Sequence, residues 1–409
     1  MRRMKVVAVT VMLSLGLFVG SAVPVSAQSV TAFENARLIV GDGRVIENAT
    51  VVVQGTRIAQ VGGAGDVRVP DGARRVDLAG KTVMPTIVDT HTHLSTTRDG
   101  LIRDLKQRAY FGVSAALSLG LDGFELLGMR NEIIPGAARF FSAGKGITRT
   151  EPGRATSQIN SEAEARKAVQ ENAAHRSDII KVWVDERDGK VDKVTPAQYA
   201  AIIDEAHNRG LRVTAHIVYM DDAKGLMRAG LDAFAHGVRD KDIDEETVSM
   251  FKARPYLTLT PNLPDRGVKK DLSWVRPGLP AAEFAKLEQA NKDDPKAQAF
   301  YGIQARNLAK LNAAGVRMTL GTDGNRPWAP HEEMEDMVVA GMTPMQVIVA
   351  ATRNSAGFVG MTDSGTLETG MSADFIVLDA NPLDDITNTR RISSVILRGA
   401  AMDRTQPVQ

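Results

Sequence analysis

From about residue 82 to residue 360, strand-like apolar runs alternate with helix-like segments, and this alternation is the tightest constraint on the fold. The runs cover 83–93, 112–119, 139–146, 178–184, 211–218, 233–237, 256–260 and 316–324, with helix-like stretches such as 196–209 and 281–314 between them. Strands separated by crossover helices build parallel sheets, and eight of them over such a length predict an α/β fold, a (β/α)8 TIM barrel. The flanks have a different texture. Ala36-Arg-Leu-Ile-Val40, Ala49-Thr-Val-Val-Val53 and Arg57-Ile-Ala-Gln-Val61 are β-branched runs broken by glycine turns, and 374–378 and 392–397 repeat the pattern near the other end. An isolated hairpin is marginal in water, so the two ends are expected to pair into one small composite β-sandwich. The expected organisation is therefore a leader over 1–27, a sandwich from 28–82 and 361–409, and a barrel over 83–360.

The leader stands apart. Arg2, Arg3 and Lys5 precede an apolar run from Val6 to Gly20, and Val25-Ser26-Ala27 places small residues at a cleavage position before Gln28. That is the layout of a secretory signal peptide, and about 15 apolar residues fall short of the roughly 20 that span a bilayer. The expected location is periplasmic or secreted. The sequence contains no cysteine, which removes disulfides, thiolate metal sites and cysteine nucleophiles together. Formal net charge is +1, so the bulk electrostatics suggest neither nucleic acid nor a membrane surface as a partner once the leader is gone. The expected partner is a small-molecule substrate, and assembly into a homo-oligomer is compatible with this.

Chemistry concentrates at the ends of the expected strands. His91-Thr92-His93 closes the first, and residues i and i+2 of a strand share a face, so both imidazoles can reach one point in the barrel mouth. A His-x-His alone is a weak signal, because solvated pairs are common. His216, His236 and Asp323 each close a strand of their own, and five such residues converging on one mouth point to a metal site. An imidazole-rich set suits zinc, with other divalent ions compatible. Lys181 interrupts the apolar run 178–184. Burial disfavours its charged form, and a neutral amine can combine with carbon dioxide to give a carbamate, an anionic two-oxygen ligand. Pairing with Asp178, Asp185 or Glu186 is the competing reading. His331-Glu332-Glu333-Met334-Glu335 begins like a zincin helix but lacks the second histidine, and it is expected to start a helix after Pro330. His175 and His207 read as surface residues. There is no Gly-x-Ser-x-Gly elbow and no P-loop.

These residues resemble the amidohydrolase superfamily, closest to its imidazolonepropionase-related and Xaa-Pro-dipeptidase-like branches. The similarity extends through the opening Ala36–Gly43, the approach Asp77-Leu-Ala-Gly-Lys-Thr-Val-Met-Pro85 and the closing Gly365-Thr-Leu-Glu-Thr-Gly370 with Ala373-Asp-Phe-Ile-Val-Leu-Asp379. The resemblance implies a hydrolase acting on carbon–nitrogen bonds through a metal-bridging hydroxide. It assigns His91, His93 and Asp323 to a first zinc ion, His216 and His236 to a second, and a carbon-dioxide-derived carbamate on Lys181 to the bridge. Asp323 would double as proton shuttle, and Tyr219, three residues after His216, would donate to the developing oxyanion, with helix packing as its plainer role. Three alternatives stay open: a one-metal, imidazolone-type ring opening with Lys181 structural, lactone or organophosphate hydrolysis on the same site, and a non-catalytic scaffold. The cations of the loops at 262–280 and 324–330, among them Arg266, Lys269, Lys270 and Arg326, could read a substrate carboxylate or be solvated loop charge.

Overall fold

The computed structural model describes residues 30–151 and 153–406, so the expected leader lies outside the described residues. Both termini contribute to one mixed sheet of eight strands. Val30–Ile39, Val45–Gln54, Arg57–Gly62, Arg74–Asp77 and Thr82–Pro85 come from one end, and Phe375–Leu378, Ile392–Leu397 and Ala400–Ala401 from the other. Thr82–Pro85 joins them, lying parallel to Val30–Ile39 and antiparallel to Phe375–Leu378, with Phe375 opposite Pro85 and Val377 opposite Val83. The pairing of the two ends is thus as expected, but hydrogen bonding makes one continuous sheet where a two-layer sandwich was expected. Its apolar face buries Leu38, Val51, Val83, Phe375 and Val377, with Phe33 edge-on to Phe375 at 5.1 Å between centroids. Gly55 makes the hairpin turn before Arg57–Gly62 at φ 58°, a conformation that costs glycine little.

The run at 83–93 is two strands. Thr82–Pro85 belongs to the terminal sheet and Ile87–Thr92 to the barrel region. Proline has no N–H to carry a ladder onward, and Thr86 is held instead by Asp374 O and by the Ser114 hydroxyl. All eight expected strand runs contain a strand, and all pair in parallel. Ile87–Thr92, Val113–Ser118 and Arg139–Ser142 form a three-stranded sheet; Ile180–Val184, Val213–Ile217, Ala233–Phe234, Thr258–Leu259 and Arg317–Met318 belong to a seven-stranded one. The architecture is of TIM-barrel type, yet the described strands do not close into one ladder, because several are only two residues long. Backbone bonds outside the ladders join the sheets instead, among them Thr90 N to Leu320 O at 2.8 Å on one side and Asp178 N to Ser142 O at 2.9 Å on the other.

Helices fill the intervals where the sequence supplies caps. Thr195 and Gln198 form a capping box ahead of Pro196–Asn208, with proline in the first turn, where its missing N–H costs nothing. The long helix expected over 281–314 breaks into Ala281–Ala290 and Pro295–Ala313, because Asp294 accepts from Lys296 N and Ala297 N and Pro295 cannot donate to a preceding turn. Among the described residues no helix is long and apolar enough to cross a membrane.

If one sheet ties the two ends together, Phe375→Ala should cost about 3–5 kcal/mol of unfolding free energy, while Ile133→Ala, at a side chain 80 % exposed, should cost within about 0.5 kcal/mol. Urea unfolding of both variants measures the difference, and equal midpoints would refute the role given to Phe375.

Candidate metal centre

His91 lies within the Ile87–Thr92 strand and His93 just past it. The His91 ring is fully buried, and its Nδ1 stands 3.0 Å from the carbonyl of Ala235. A carbonyl only accepts, so Nδ1 carries the hydrogen and Nε2 holds a lone pair. That Nε2 faces Asp323 Oδ1 at 3.1 Å, and His93 Nε2 approaches the same oxygen at 3.0 Å. Burial takes the His91 pKa down to about 4, so the ring is neutral at pH 7. Burial opposes ionisation of Asp323, but His91 and His236 outweigh it and hold the carboxyl far below its usual range. With its hydrogen on Nδ1, the His91 ring turns the Nε2 lone pair toward a carboxylate oxygen at 3.1 Å. Such a contact is repulsive unless a cation sits beside it. One ligand atom each from His91, His236 and Asp323 lie within 4.8 Å of one another, and the buried Nε2 atoms of both rings have no hydrogen-bond partner. The residues present fit a metal.

His216 and His236 continue the cluster, with rings 4.6 Å apart, and His236 is 4.9 Å from His91. His216 Nε2 donates to Asp185 Oδ2 at 3.2 Å, which leaves its Nδ1 bare, and burial lowers its pKa to about 3. His236 differs. Its Nδ1 faces Asn262 Nδ2 at 2.8 Å and the Arg239 guanidinium, which can only donate. In that tautomer Nε2 bears the hydrogen and points toward Asp323 Oδ2, 3.5 Å away, so ligation through Nε2 requires Arg239 to leave Nδ1.

Lys181 is fully buried and its Nζ has no hydrogen-bond partner. Burial is the main cause that lowers its pKa to about 7. The acidic partners named from the sequence are engaged elsewhere: Asp178 with Arg130, Asp185 with Arg187 and His216, and Glu186 with Tyr219 and Lys193. A salt-bridged structural lysine is not what the structure contains.

Tyr219 caps the helix Met220–Arg228, and its hydroxyl donates to Glu186, which pushes its pKa up to about 12. That donor is committed to Glu186. The other histidines are structural. His331 is buried between Phe111 O and Thr389 Oγ1, His207 meets Asp232 on the surface, and exposed His175 stacks on Phe124. Among the loop cations, Arg266 pairs with Glu335 and Asp336, Lys270 lies near Asp336, and Arg326 pairs with Glu332. Sequence reasoning passed over Asp89 and Arg108, and named Asp185 only as a partner for Lys181. Asp89 accepts from His91 N and the Thr322 hydroxyl, and its carboxylate inside the apolar run Ile87–Thr92 was a visible signal.

Residues 82–402 match the model of the amidohydrolase family. Imidazolonepropionase from Shouchella clausii is 23 % identical over 381 residues, covering 82 % of this chain and 80 % of the relative. Ochratoxinase from Aspergillus niger is 25 % identical over 417 residues, covering 87 % and 82 %. Among solved structures, a Bifidobacterium longum protein provisionally assigned as a prolidase superposes with a TM-score of 0.77 at 27 % identity, covering 94 % of this chain and 97 % of its own.

Metal binding to the folded state alone predicts a linked gain in stability. Zn2+ at about a thousand times its dissociation constant should add about 4 kcal/mol to the unfolding free energy, and a chelator should remove it. His91→Ala should abolish the gain, as read by urea unfolding with and without metal.

Proposed function

Because the chain belongs to the amidohydrolase family, we propose that it is a metal-dependent hydrolase cleaving an amide, peptide or related carbonyl bond of a small molecule at the His91–Asp323 centre. The observation that carries this reading is the contact between the bare Nε2 of His91 and the ionised Asp323 carboxylate. His91, His93 and Asp323 would hold one zinc ion, and His216, His236 and a carbamate on Lys181 would complete a second position. Bound metal would supply water of lowered pKa and a polarised carbonyl. Asp323 would take the proton from the attacking water and pass it to the leaving nitrogen. Asp185 keeps His216 in the tautomer with a free Nδ1, and the Ala235 carbonyl does the same for His91 Nε2.

The relatives support cleavage of carbon–nitrogen bonds, and the burial of Lys181 with a lowered pKa supports the carbamate, because only the neutral amine attacks carbon dioxide. A one-metal reading is favoured by a different observation: the tight group is His91, His236 and Asp323 alone, while His216 is turned toward Asp185. Two zinc equivalents per chain support the first reading and one supports the second.

Two experiments test the proposal. Asp323→Asn should lower kcat on an N-acyl amino acid or dipeptide substrate by about 10²–10⁴-fold; full activity in the variant would overturn the shuttle role. Metal-stripped protein reloaded with Zn2+ should regain activity faster with added bicarbonate. The neutral fraction of Lys181 grows as pH rises through about 7, so at a fixed concentration of dissolved carbon dioxide the recovery rate should rise over that interval. Lys181→Ala should lose the bicarbonate effect.

A further inference from the structure

The helix Arg98–Tyr110 follows the first barrel strand and buries Leu101, Leu105 and Arg108 at successive turns of one face. The leucines there have apolar neighbours, but Arg108 carries a permanent charge into the same layer, its side chain fully buried. A charge in that position is costly unless its donors are used. Arg108 Nη2 donates to the Thr92 hydroxyl and, at 3.2 Å, to the carbonyl of Gly324, while Nη1 donates to Asn325 Oδ1 at 3.1 Å. Asp104, one turn earlier on the helix and also buried, accepts from the other end of the same amide, Asn325 Nδ2, at 2.9 Å. Asp104 is fixed in turn by Ser95, whose N–H and hydroxyl donate to it at 2.8 and 2.7 Å.

The segments gripped in this way flank the metal centre. Thr92 separates His91 from His93, and Gly324 and Asn325 follow Asp323. Asp323 itself sits at φ 48°, a left-handed conformation uncommon outside glycine, so its backbone needs support from both sides. One side is the His91 carbonyl, which accepts from Thr322 N and Asp323 N at 2.8 Å each. The other is Gly324 O, which accepts from Arg108, from the Thr92 hydroxyl and from His93 N at 3.3 Å.

We propose that Asp104, Arg108 and Asn325 are positioning residues, a clamp that holds Asp323 in its left-handed turn and sets its carboxylate against His91 and His93 before any cation binds. The clamp calls for a guanidinium, because three acceptors on two chain segments match a rigid planar fork and not a point charge. Only the catalytic consequence rests on the proposed hydrolase reading; the clamp itself is a property of the metal-free protein.

The test uses Asn325→Ala, an exposed position where folding is not at issue, together with Arg108→Lys and Arg108→Ala. In the metal-free protein, Asn325→Ala should speed amide hydrogen exchange across residues 322–325 by about tenfold, with a Tm loss of no more than about 4 °C. Co2+ added alone should give a visible absorption spectrum altered in band position or intensity from wild type. On a substrate of the wild-type enzyme, kcat should fall by about 10–100-fold with KM nearly constant. Arg108→Lys should behave like the alanine variant, and guanidinium added to Arg108→Ala should restore part of the lost kcat where methylammonium does not. Wild-type exchange rates and an unchanged Co2+ spectrum in folded Asn325→Ala would overturn the clamp, even if Arg108→Ala fails to fold. A protein that hydrolyses nothing would sink the proposed function and leave these two readouts to decide the clamp.

Discussion

The carbonyl oxygen of His91 accepts from the backbone N–H groups of both Thr322 and Asp323, and this seam between the first and last barrel strands is where the site comes into being. With Thr90 N bound to Leu320 O, it brings together segments that the chain separates by most of its length. The Asp323 carboxylate thereby comes to 3.1 Å from the His91 imidazole. The other strands then deliver His216 and His236 because they run parallel and in register beside it, Trp183 lying opposite His216 and Ala215 opposite Phe234. A parallel sheet aligns the C-terminal ends of its strands, so residues placed at those ends converge without individual design.

Convergence of polar groups in a largely buried cluster has a cost, and the surrounding hydrogen bonds show how it is met. His91 gives its Nδ1 hydrogen to a backbone carbonyl, His216 gives its Nε2 hydrogen to Asp185, and burial keeps both rings neutral. Neutral rings with one nitrogen occupied are in the form a cation needs, and binding it need not first displace a proton. Lys181 follows the same logic from the opposite sign. The desolvation that strips the charge from an amine also makes it a nucleophile.

Much of this was legible in the sequence. The eight strand runs were visible because a buried parallel strand reads as an uninterrupted apolar stretch, and the ligands stood out because a histidine or lysine at the end of such a stretch has few structural uses. Lys181 was legible by the same contrast, although its lack of an acidic partner was not. Boundaries were harder. The division at Thr86 depends on Asp374 and Ser114, far away in sequence, while the break before Pro295 had a local mark in Asn291-Lys-Asp-Asp-Pro295 that the single helix-like segment 281–314 ran across. Arg108 carried a local signal, since it falls one turn beyond Leu105 on the buried face, but its meaning lies in Gly324, 216 residues downstream. Side-chain contacts of that span have no periodicity to betray them.

The terminal sheet is tied to the same geometry. Phe375–Leu378 pairs with Thr82–Pro85, and Thr86, the next residue, donates its N–H to Asp374 O and its hydroxyl to Ser114. The strand that ends in His91 and His93 is therefore anchored at its start by the far end of the chain, and Arg139 adds a second tie by reaching from the third barrel strand to Asp363 and Asp374. Arg108 and the His91 carbonyl grip the finish of that strand while the terminal sheet grips its beginning. A segment held at both ends cannot slide by a residue, and in a strand a slide of one residue would turn both histidines away from Asp323.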